Sequence, residues 1–310
     1  MAIANWNGAA HLSHCLDALF SQTHPPAEVI LVDNGSTDGS RALVQSQYPQ
    51  VRLIERPINE GVSRGYNLAI ANSKNSYLLI LNTDVFLDRD FLFEALKAIR
   101  SSSSIGWVAA KIHSADTNQV ENVGFYLRPW ISVVNSKNVS KPEFVFAASG
   151  SALFCRREML EDISLSGEYF DEAFFAYREE LDLAWRAQLR GWRCLYCPTA
   201  LAQHIGSASH GGEVRVIDKP AFLQRHAWKN RYLLVVKNAS YWSLIILAPS
   251  LLMLELLSWP YLLFAKPRSL SVFLQAHREF LRLVPETLEK RRFVQRGRRV
   301  KGWRILRFLR

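Results

Sequence analysis

Two carboxylates stand where a parallel sheet would offer them to a ligand. Tyr77-Leu78-Leu79-Ile80-Leu81 is apolar without alternation and runs straight into Asn82-Thr83-Asp84. A strand buried on both faces reads this way, and open α/β sheets bind ligands outside the carboxyl ends of their strands. A carboxylate there can hold a hard divalent cation, which commonly bridges to phosphate oxygens. The ordinary alternative is an N-cap for the helix expected over Phe91–Arg100. Glu28-Val29-Ile30-Leu31-Val32-Asp33 is a second such strand, followed by Asn34-Gly35-Ser36-Thr37-Asp38-Gly39-Ser40. An Asp at that place can accept hydrogen bonds from a base N–H or a ribose hydroxyl; an Asx turn with a helix cap is its ordinary alternative. Neither a G-x-G-x-x-G fingerprint nor a P-loop occurs, so NAD and ATP are not invoked.

The elements that must position these acids follow a strand–loop–helix rhythm. Residues 1–4 form a short apolar stub that turns at Asn5-Trp6-Asn7-Gly8, and Leu12, Cys15, Leu16, Leu19 and Phe20 then share a helical face. Helix 39–47, strand 51–54, helix 62–72 and strand 77–81 continue a βαβ pattern, which implies a parallel sheet with right-handed crossovers. Beyond residue 105 the pattern predicts a mixed sheet, with strands over 107–112, 123–127, 144–149 and 192–197. A helix is predicted over Glu179–Arg190, closed by Gly191. Residues 198–212 read as a loop carrying His204 and His210.

Four ordered blocks carry a family resemblance over about residues 1–240. Val32-Asp33-Asn34-Gly35-Ser36-Thr37-Asp38 and Leu81-Asn82-Thr83-Asp84-Val85 are joined by Asn59-Glu60-Gly61-Val62-Ser63-Arg64-Gly65-Tyr66-Asn67. The fourth block is Phe170-Asp171-Glu172-Ala173-Phe174-Phe175-Ala176-Tyr177-Arg178-Glu179-Glu180-Leu181-Asp182-Leu183, with Arg190-Gly191-Trp192-Arg193 after it. Together they resemble the inverting family-2 glycosyltransferases of GT-A fold, within them the bacterial rhamnosyltransferases. The resemblance implies an α/β fold with a mostly parallel central sheet flanked by helices. It implies that Asp33, with Asn34 and Gly35, meets the nucleotide, and that Asn59, Gly61, Arg64 and Asn67 lie along the same pocket. Asn82 and Asp84 take the place of the family's D-x-D-like motif, with Asn82 replacing the first acid. Asp84 and His204 are thereby implied as ligands of Mn²⁺ or Mg²⁺, the imidazole favouring Mn²⁺ somewhat. Gly150 falls in the block that floors the donor and acceptor site in relatives.

Direct displacement at an anomeric carbon needs one carboxylate to take the acceptor's proton. Glu180 takes the position where relatives carry the base. It is a Glu where they carry Asp, which leaves Glu179 and Asp182 as alternatives. Acids in a first helical turn also complement the helix dipole without any catalytic part.

The chain has 310 residues and a formal net charge of +10. Ten Lys or Arg and no acid fall in residues 290–310; without them the basic residues equal the 28 acids in number. A neutral body with a basic C-terminus is the result. Cys15, Cys155, Cys194 and Cys197 form no disulfide framework, and the lone C-x-x-C reads as buried small residues in a strand. Asn5, Asn7 and His11 interrupt any signal-peptide core, and relatives carry further apolar residues before Asn5, so an upstream start is expected. Residues 244–265 approach a membrane span in length, but Pro249, Glu255 and Pro260 argue against a clean one. Lys237 and Lys266 flank them. Peripheral attachment to an anionic cytoplasmic leaflet is expected; a span or a buried helix with a solvated tail are the alternatives. Basic residues without a nucleic-acid motif do not indicate nucleic acid as a partner.

The resulting expectation is a glycosyltransferase domain over 1–215 and a helical membrane-associating region over 216–310, on the cytoplasmic face of the inner membrane. The donor would be dTDP-L-rhamnose, with UDP-galactofuranose, UDP-glucose or UDP-GlcNAc as alternatives. The acceptor would be a lipid-linked or cell-surface polysaccharide. The rival from outside enzymology is a non-catalytic membrane scaffold.

Overall fold

A computed structural model describes residues 1–137, 139–205 and 216–310. The first half alternates strands and helices: β1 (Ala2–Asn5), α1 (Ala9–Phe20), β2 (Ile30–Asn34), α2 (Ser40–Gln47), β3 (Arg52–Arg56), α3 (Val62–Ala71), β4 (Tyr77–Leu81), β5 (Val85–Leu87) and α4 (Phe91–Arg100). There follow β6 (Ile105–Ser114), β7 (Val120–Asn122), β8 (Phe125–Leu127), β9 (Val133–Asn135), β10 (Glu143–Val145), β11 (Ala152–Arg156), α5 (Arg157–Asp162), α6 (Glu179–Arg190) and β12 (Arg193–His204). Three long helices, α7 (Ala221–Asn238), α8 (Tyr241–Ala265) and α9 (Pro267–Arg296), precede a short 3-10 turn at Gly302–Phe308.

The main sheet runs β10-β12-β6-β11-β4-β1-β2-β3, with β5 on β12 and β7 on β6. β1, β2, β3 and β4 pair in parallel, as do β6 and β12, while β11 runs antiparallel between β4 and β6. The sheet is thus mixed, as the pattern beyond residue 105 predicts. The apolar run of β4 is explained by two cores. Leu78 and Ile80 pack with α3 and α6 on one face, and Leu79 and Leu81 pack with α1 and α4 on the other.

One expectation and one alternative are corrected. The predicted loop over 198–212 is strand as far as His204: β12 continues past Pro198 through a register shift between Cys197 and Leu201, the kind of irregularity that tolerates a proline in a sheet. His210 and the boundary at 215 lie outside the described residues. The basic C-terminus is not a solvated tail either. Ile305 and Phe308 are buried in the main core, and the backbone N–H of Arg310 donates to Leu127 O at 2.9 Å. All four cysteines are free and buried, as read.

A buried charge network fastens the C-terminal helices to the rest. Lys237 of α7 is fully buried and bonds Asp171 and, at 2.8 Å, Asp182 of α6. Lys290 of α9 reaches Asp171 at 2.7 Å. Burial alone would raise the Asp171 carboxyl, but Lys237 and Lys290 outweigh it and hold it well below the usual carboxylate range. Removing one partner of such a group leaves an uncompensated buried charge, which costs about 3–5 kcal/mol. Lys237→Met is therefore expected to lose about 3 kcal/mol or more in urea unfolding. A loss below about 1 kcal/mol, the range of a surface pair, would show the network to be structurally idle.

Candidate active site

Parallel pairing brings the carboxyl ends of β1, β2, β4 and β12 to one edge, and antiparallel β11 delivers its amino end there. Asn5, Asp33, Asn34, Asn82, Asp84, His204 and Gly150 therefore share that edge. Asp84 and His204, distant in sequence, meet: Oδ2 lies 3.4 Å from Nε2. The other imidazole nitrogen, Nδ1, faces Glu121 Oε1 at 3.3 Å, and Glu121 Oε2 is buried with no partner. Burial pulls His204 down, but hydrogen bonds to Asp84 and Glu121 prevail and leave it raised to about 9. Carboxylate–imidazole–carboxylate is the chemistry of a histidine ligand with its outer-shell support. This donor set fits a divalent cation, with one direct carboxylate and one imidazole. Among the described residues no group of three or more ligating side chains forms, so further ligands would have to come from a bound diphosphate or water.

Across the edge, Glu179 and Glu180 open α6. A Cβ built on Gly150 would lie 3.4 Å from Glu180 Cβ, an ordinary contact distance, so Glu180 sits directly over the start of β11. Both glutamates are partly exposed, while Glu179 Oε2 is buried without a partner. Burial raises both carboxyls. Glu179 is pushed up to about 8, with the neighbouring Glu180 charge adding to burial. Glu180 is raised as well, with Arg178 pulling the other way. Asp182 is different: it is fully buried, with Lys237 at 2.8 Å, Arg186 at 2.9 Å and Asn238 at 2.7 Å. As a candidate base it is corrected, because its oxygens are held by fixed donors inside the protein.

Several residues expected along a nucleotide pocket are engaged with one another and with the backbone of neighbouring elements. Asp33 accepts from Asn5 at 2.9 Å, the Ser36 N–H at 3.0 Å and Arg41 at 2.6 Å, and is fully buried. Asn34 donates to Gly61 O at 3.0 Å, and Asn59 receives the Gly61 N–H at 2.9 Å. Gly35, at φ +74°, lies against the Ile58 backbone, where a Cβ would come within 2.8 Å. Arg64 pairs with Glu172 at 2.6 Å and Glu60 at 3.1 Å. Asn67 donates to Phe170 O at 2.7 Å and accepts the Phe170 N–H at 2.8 Å. Arg64 and Asn67 thus tie α3 to the segment before α6. Asn82 accepts from the Tyr66 hydroxyl at 2.5 Å.

Residues 1–164 match the family model described as Glycosyl transferase family 2. That is more than half of the chain. The chain belongs to glycosyl transferase family 2. A Mycobacterium tuberculosis protein named N-acetylglucosaminyl-diphospho-decaprenol L-rhamnosyltransferase is 26% identical over 261 residues, covering 75% of this chain and 82% of that one. S. aureus TarS 1–349 in complex with UDP superposes with a TM-score of 0.60 at 16% identity, covering 96% of this chain and 85% of that one. The mannosyltransferase PcManGT from Pyrobaculum calidifontis, in complex with GDP-Man and Mn²⁺, superposes at 0.53 with 17% identity, covering 90% and 86%. The fold is GT-A.

In this family-2 chain the acidic helix is reached through an unusual backbone. Phe175, Tyr177 and Arg178 all have positive φ, at 64°, 70° and 68°. Non-glycine residues there store strain and persist only where the surroundings over-determine them. On one side Phe175 O receives the N–H of Val62 at 2.8 Å and of Ser63 at 3.3 Å. Gly61 makes that approach possible: it has φ +94°, and a Cβ on it would lie 2.7 Å from Phe175 O. On the other side α7 supplies Lys229 Nζ to Ala173 O at 2.6 Å. Asn230 Nδ2 reaches Phe174 O at 2.9 Å, Ala176 O at 2.7 Å and Tyr177 O at 2.7 Å. The two N–H bonds of one buried amide are thus shared among three carbonyls in and beside the strained run.

Reading the sequence missed Asn230, Lys229, Glu121, Tyr66 and Arg41 as parts of the site. Tyr66 alone carried a signal, since it falls inside the Asn59–Asn67 block. Asn230→Leu removes the shared donor and frees the run that aims Glu179 and Glu180. Misplacement of about 1 Å is enough to cost about 10²-fold in rate. The variant is expected to lose kcat on that order, with KM for the donor nearly unchanged. An unchanged kcat in a folded variant would show that α7 does not position the acids.

Proposed function

We propose that the protein transfers a sugar, with inversion, from a nucleotide diphosphate to a hydroxyl of a lipid-linked or polysaccharide acceptor. The observation that carries this reading is that one sheet edge holds both the Asp84–His204 pair and, over Gly150, Glu180. The name of the mycobacterial relative makes dTDP-L-rhamnose the first donor to test, ahead of UDP-galactofuranose, UDP-glucose and UDP-GlcNAc. Its lipid-linked substrate supports work at the cytoplasmic face of the inner membrane, with α8 and the basic C-terminus as the attachment.

In this mechanism Glu180 is the base. It accepts the acceptor's hydroxyl proton as the acceptor oxygen bonds to the anomeric carbon and the bond from that carbon to the diphosphate oxygen breaks. Glu179, raised to about 8, keeps its proton at neutral pH, so that Glu180 ionises beside a neutral neighbour instead of a second charge. Asp84 and His204, with Glu121 behind, would hold Mn²⁺ or Mg²⁺, which supplies positive charge against a leaving diphosphate.

Turnover of one nucleotide sugar by the purified protein is the direct test, and no turnover with any of the four donors would favour the scaffold reading. Glu180→Gln should cost about 10²–10⁴-fold in kcat. Glu179→Gln should keep most activity at neutral pH, because the group it replaces is already uncharged there. Above about pH 8 the wild type gains a second carboxylate charge, which repels an anionic donor, so kcat/KM for the donor is expected to fall. Glu179→Gln should lack that fall; the same high-pH limb in both proteins would remove Glu179 from this role.

The metal reading has its own readout. Mn²⁺ binding, followed by electron paramagnetic resonance without substrate, should be lost in Asp84→Ala and weakened about 10–100-fold in Glu121→Gln. Unchanged binding in both variants would move the cation elsewhere.

A further inference from the structure

The polarity of α8 is inverted. Every exposed residue of this 25-residue helix is apolar or aromatic, among them Trp242, Ile246, Leu252, Leu256, Leu257 and Phe264. Its polar side chains, Ser243, Ser250, Glu255 and Ser258, all lie off that exposed face. A helix on the surface of a water-soluble domain shows the opposite arrangement. The exposed apolar positions recur at three- and four-residue steps along the whole length, so the face is continuous and not a local patch.

The helix is also fastened to the protein from end to end. Near its start Ser243 donates to Gly302 O at 3.2 Å. In the middle Glu255 accepts from the Tyr232 hydroxyl at 2.6 Å and meets His277 Nε2 at 2.8 Å. Near its end Leu262 is buried with Trp228 and Phe273. Its partner α9 carries Arg278, Glu279, Arg282, Glu286, Glu289 and Lys290, which cannot enter hydrocarbon. For α8 to cross a bilayer it would have to leave α7 and α9 and take Glu255 unpaired into lipid. Its length alone would allow a crossing; its attachments do not.

The surroundings of the face match an interface with anionic lipid. Tyr241 and Trp242 are exposed at one end, and Trp259 and Tyr261 near the other; such side chains favour the headgroup level. The 3-10 turn that packs on the start of α8 exposes Trp303 and carries Arg304 and Arg307, which form no ion pair with another described residue. Resting on the membrane attachment proposed above, we infer that α8 lies flat in one leaflet of an anionic bilayer. Its exposed face is in the acyl region and both of its ends are on the side that holds the catalytic domain.

The test uses the full chain with Ser271→Cys, an exposed position just beyond α8, since the four native cysteines are buried. The protein is bound to sealed vesicles of equimolar phosphatidylcholine and phosphatidylglycerol and treated outside with a membrane-impermeant maleimide. A flat α8 leaves the introduced thiol labelled as fully as in detergent; protection until detergent is added means a crossing and overturns the inference alone. Absence of vesicle binding by the wild type overturns both the inference and the attachment it rests on. Leu256→Glu with Leu257→Glu should cut vesicle binding at least about tenfold without moving the thermal midpoint of the unbound protein. Binding unaffected by these changes, binding equally strong to phosphatidylcholine alone, or a wild-type dimer that they split into monomers would each count against the lipid face.

Discussion

The structure depends on holding a strained turn in place at the head of an acidic helix. Phe175, Tyr177 and Arg178 occupy a backbone region that costs non-glycine residues of order 1–3 kcal/mol each. A charge-assisted hydrogen bond contributes about 1.5–3 kcal/mol and a neutral one about 1, so no single donor outweighs the run, and several must act together. α3 gives two backbone N–H groups, and α7 gives Lys229 and Asn230. This is why the C-terminal helices are part of the site's construction. α7 is itself set in depth by Lys237, whose ammonium lies between Asp171 before the turn and Asp182 after it. The same cation thus clamps both sides of the segment that carries Glu179 and Glu180.

The parallel half of the fold was legible because its strands are buried on two faces and must be apolar throughout. Residues 77–81 announce that directly, and the acids at the ends of β2 and β4 then mark the functional edge. Asp84 and His204 were legible only through the order of blocks, since nothing local says that residue 204 ends a strand two places from β11. Lys229, Asn230, Lys237 and Asn238 were not legible at all. In sequence they are the solvated face of an ordinary helix, yet each is at most 1% exposed. Their partners, Ala173 to Tyr177, Asp171 and Asp182, are more than fifty residues away, and only tertiary packing converts four polar side chains into internal donors.

Position 82 carries an amide where the resemblance implies an acid. An amide there removes one negative charge from the edge, and the Tyr66 hydroxyl fixes the amide's orientation by donating to Oδ1. A carboxylate returns one layer back, as Glu121 behind His204. The charge around the imidazole is therefore close to what a two-acid motif would supply, but it is distributed along a line from Asp84 through His204 to Glu121. An imidazole between two carboxylates is also held in a single ring orientation, which a loop histidine would lack.

α7 then joins two surfaces that have no direct contact through their functional residues. At 3.6 residues per turn, positions 230 and 232 point about 200° apart. Asn230 faces the strained turn, and Tyr232 faces away, towards Glu255 of α8 and His277 of α9. Lys229, Asn230, Leu233, Leu234, Lys237 and Asn238 all fall on the inner side and are all buried. A helix with one side committed to the acids and the other to the apolar helix fixes how far, and at what angle, Glu179 and Glu180 stand from the exposed face of α8. If that face rests in a bilayer, the height of the carboxyls above the lipid surface is set by the packing of α7. A lipid-anchored acceptor, as proposed, would then meet Glu180 at a defined depth.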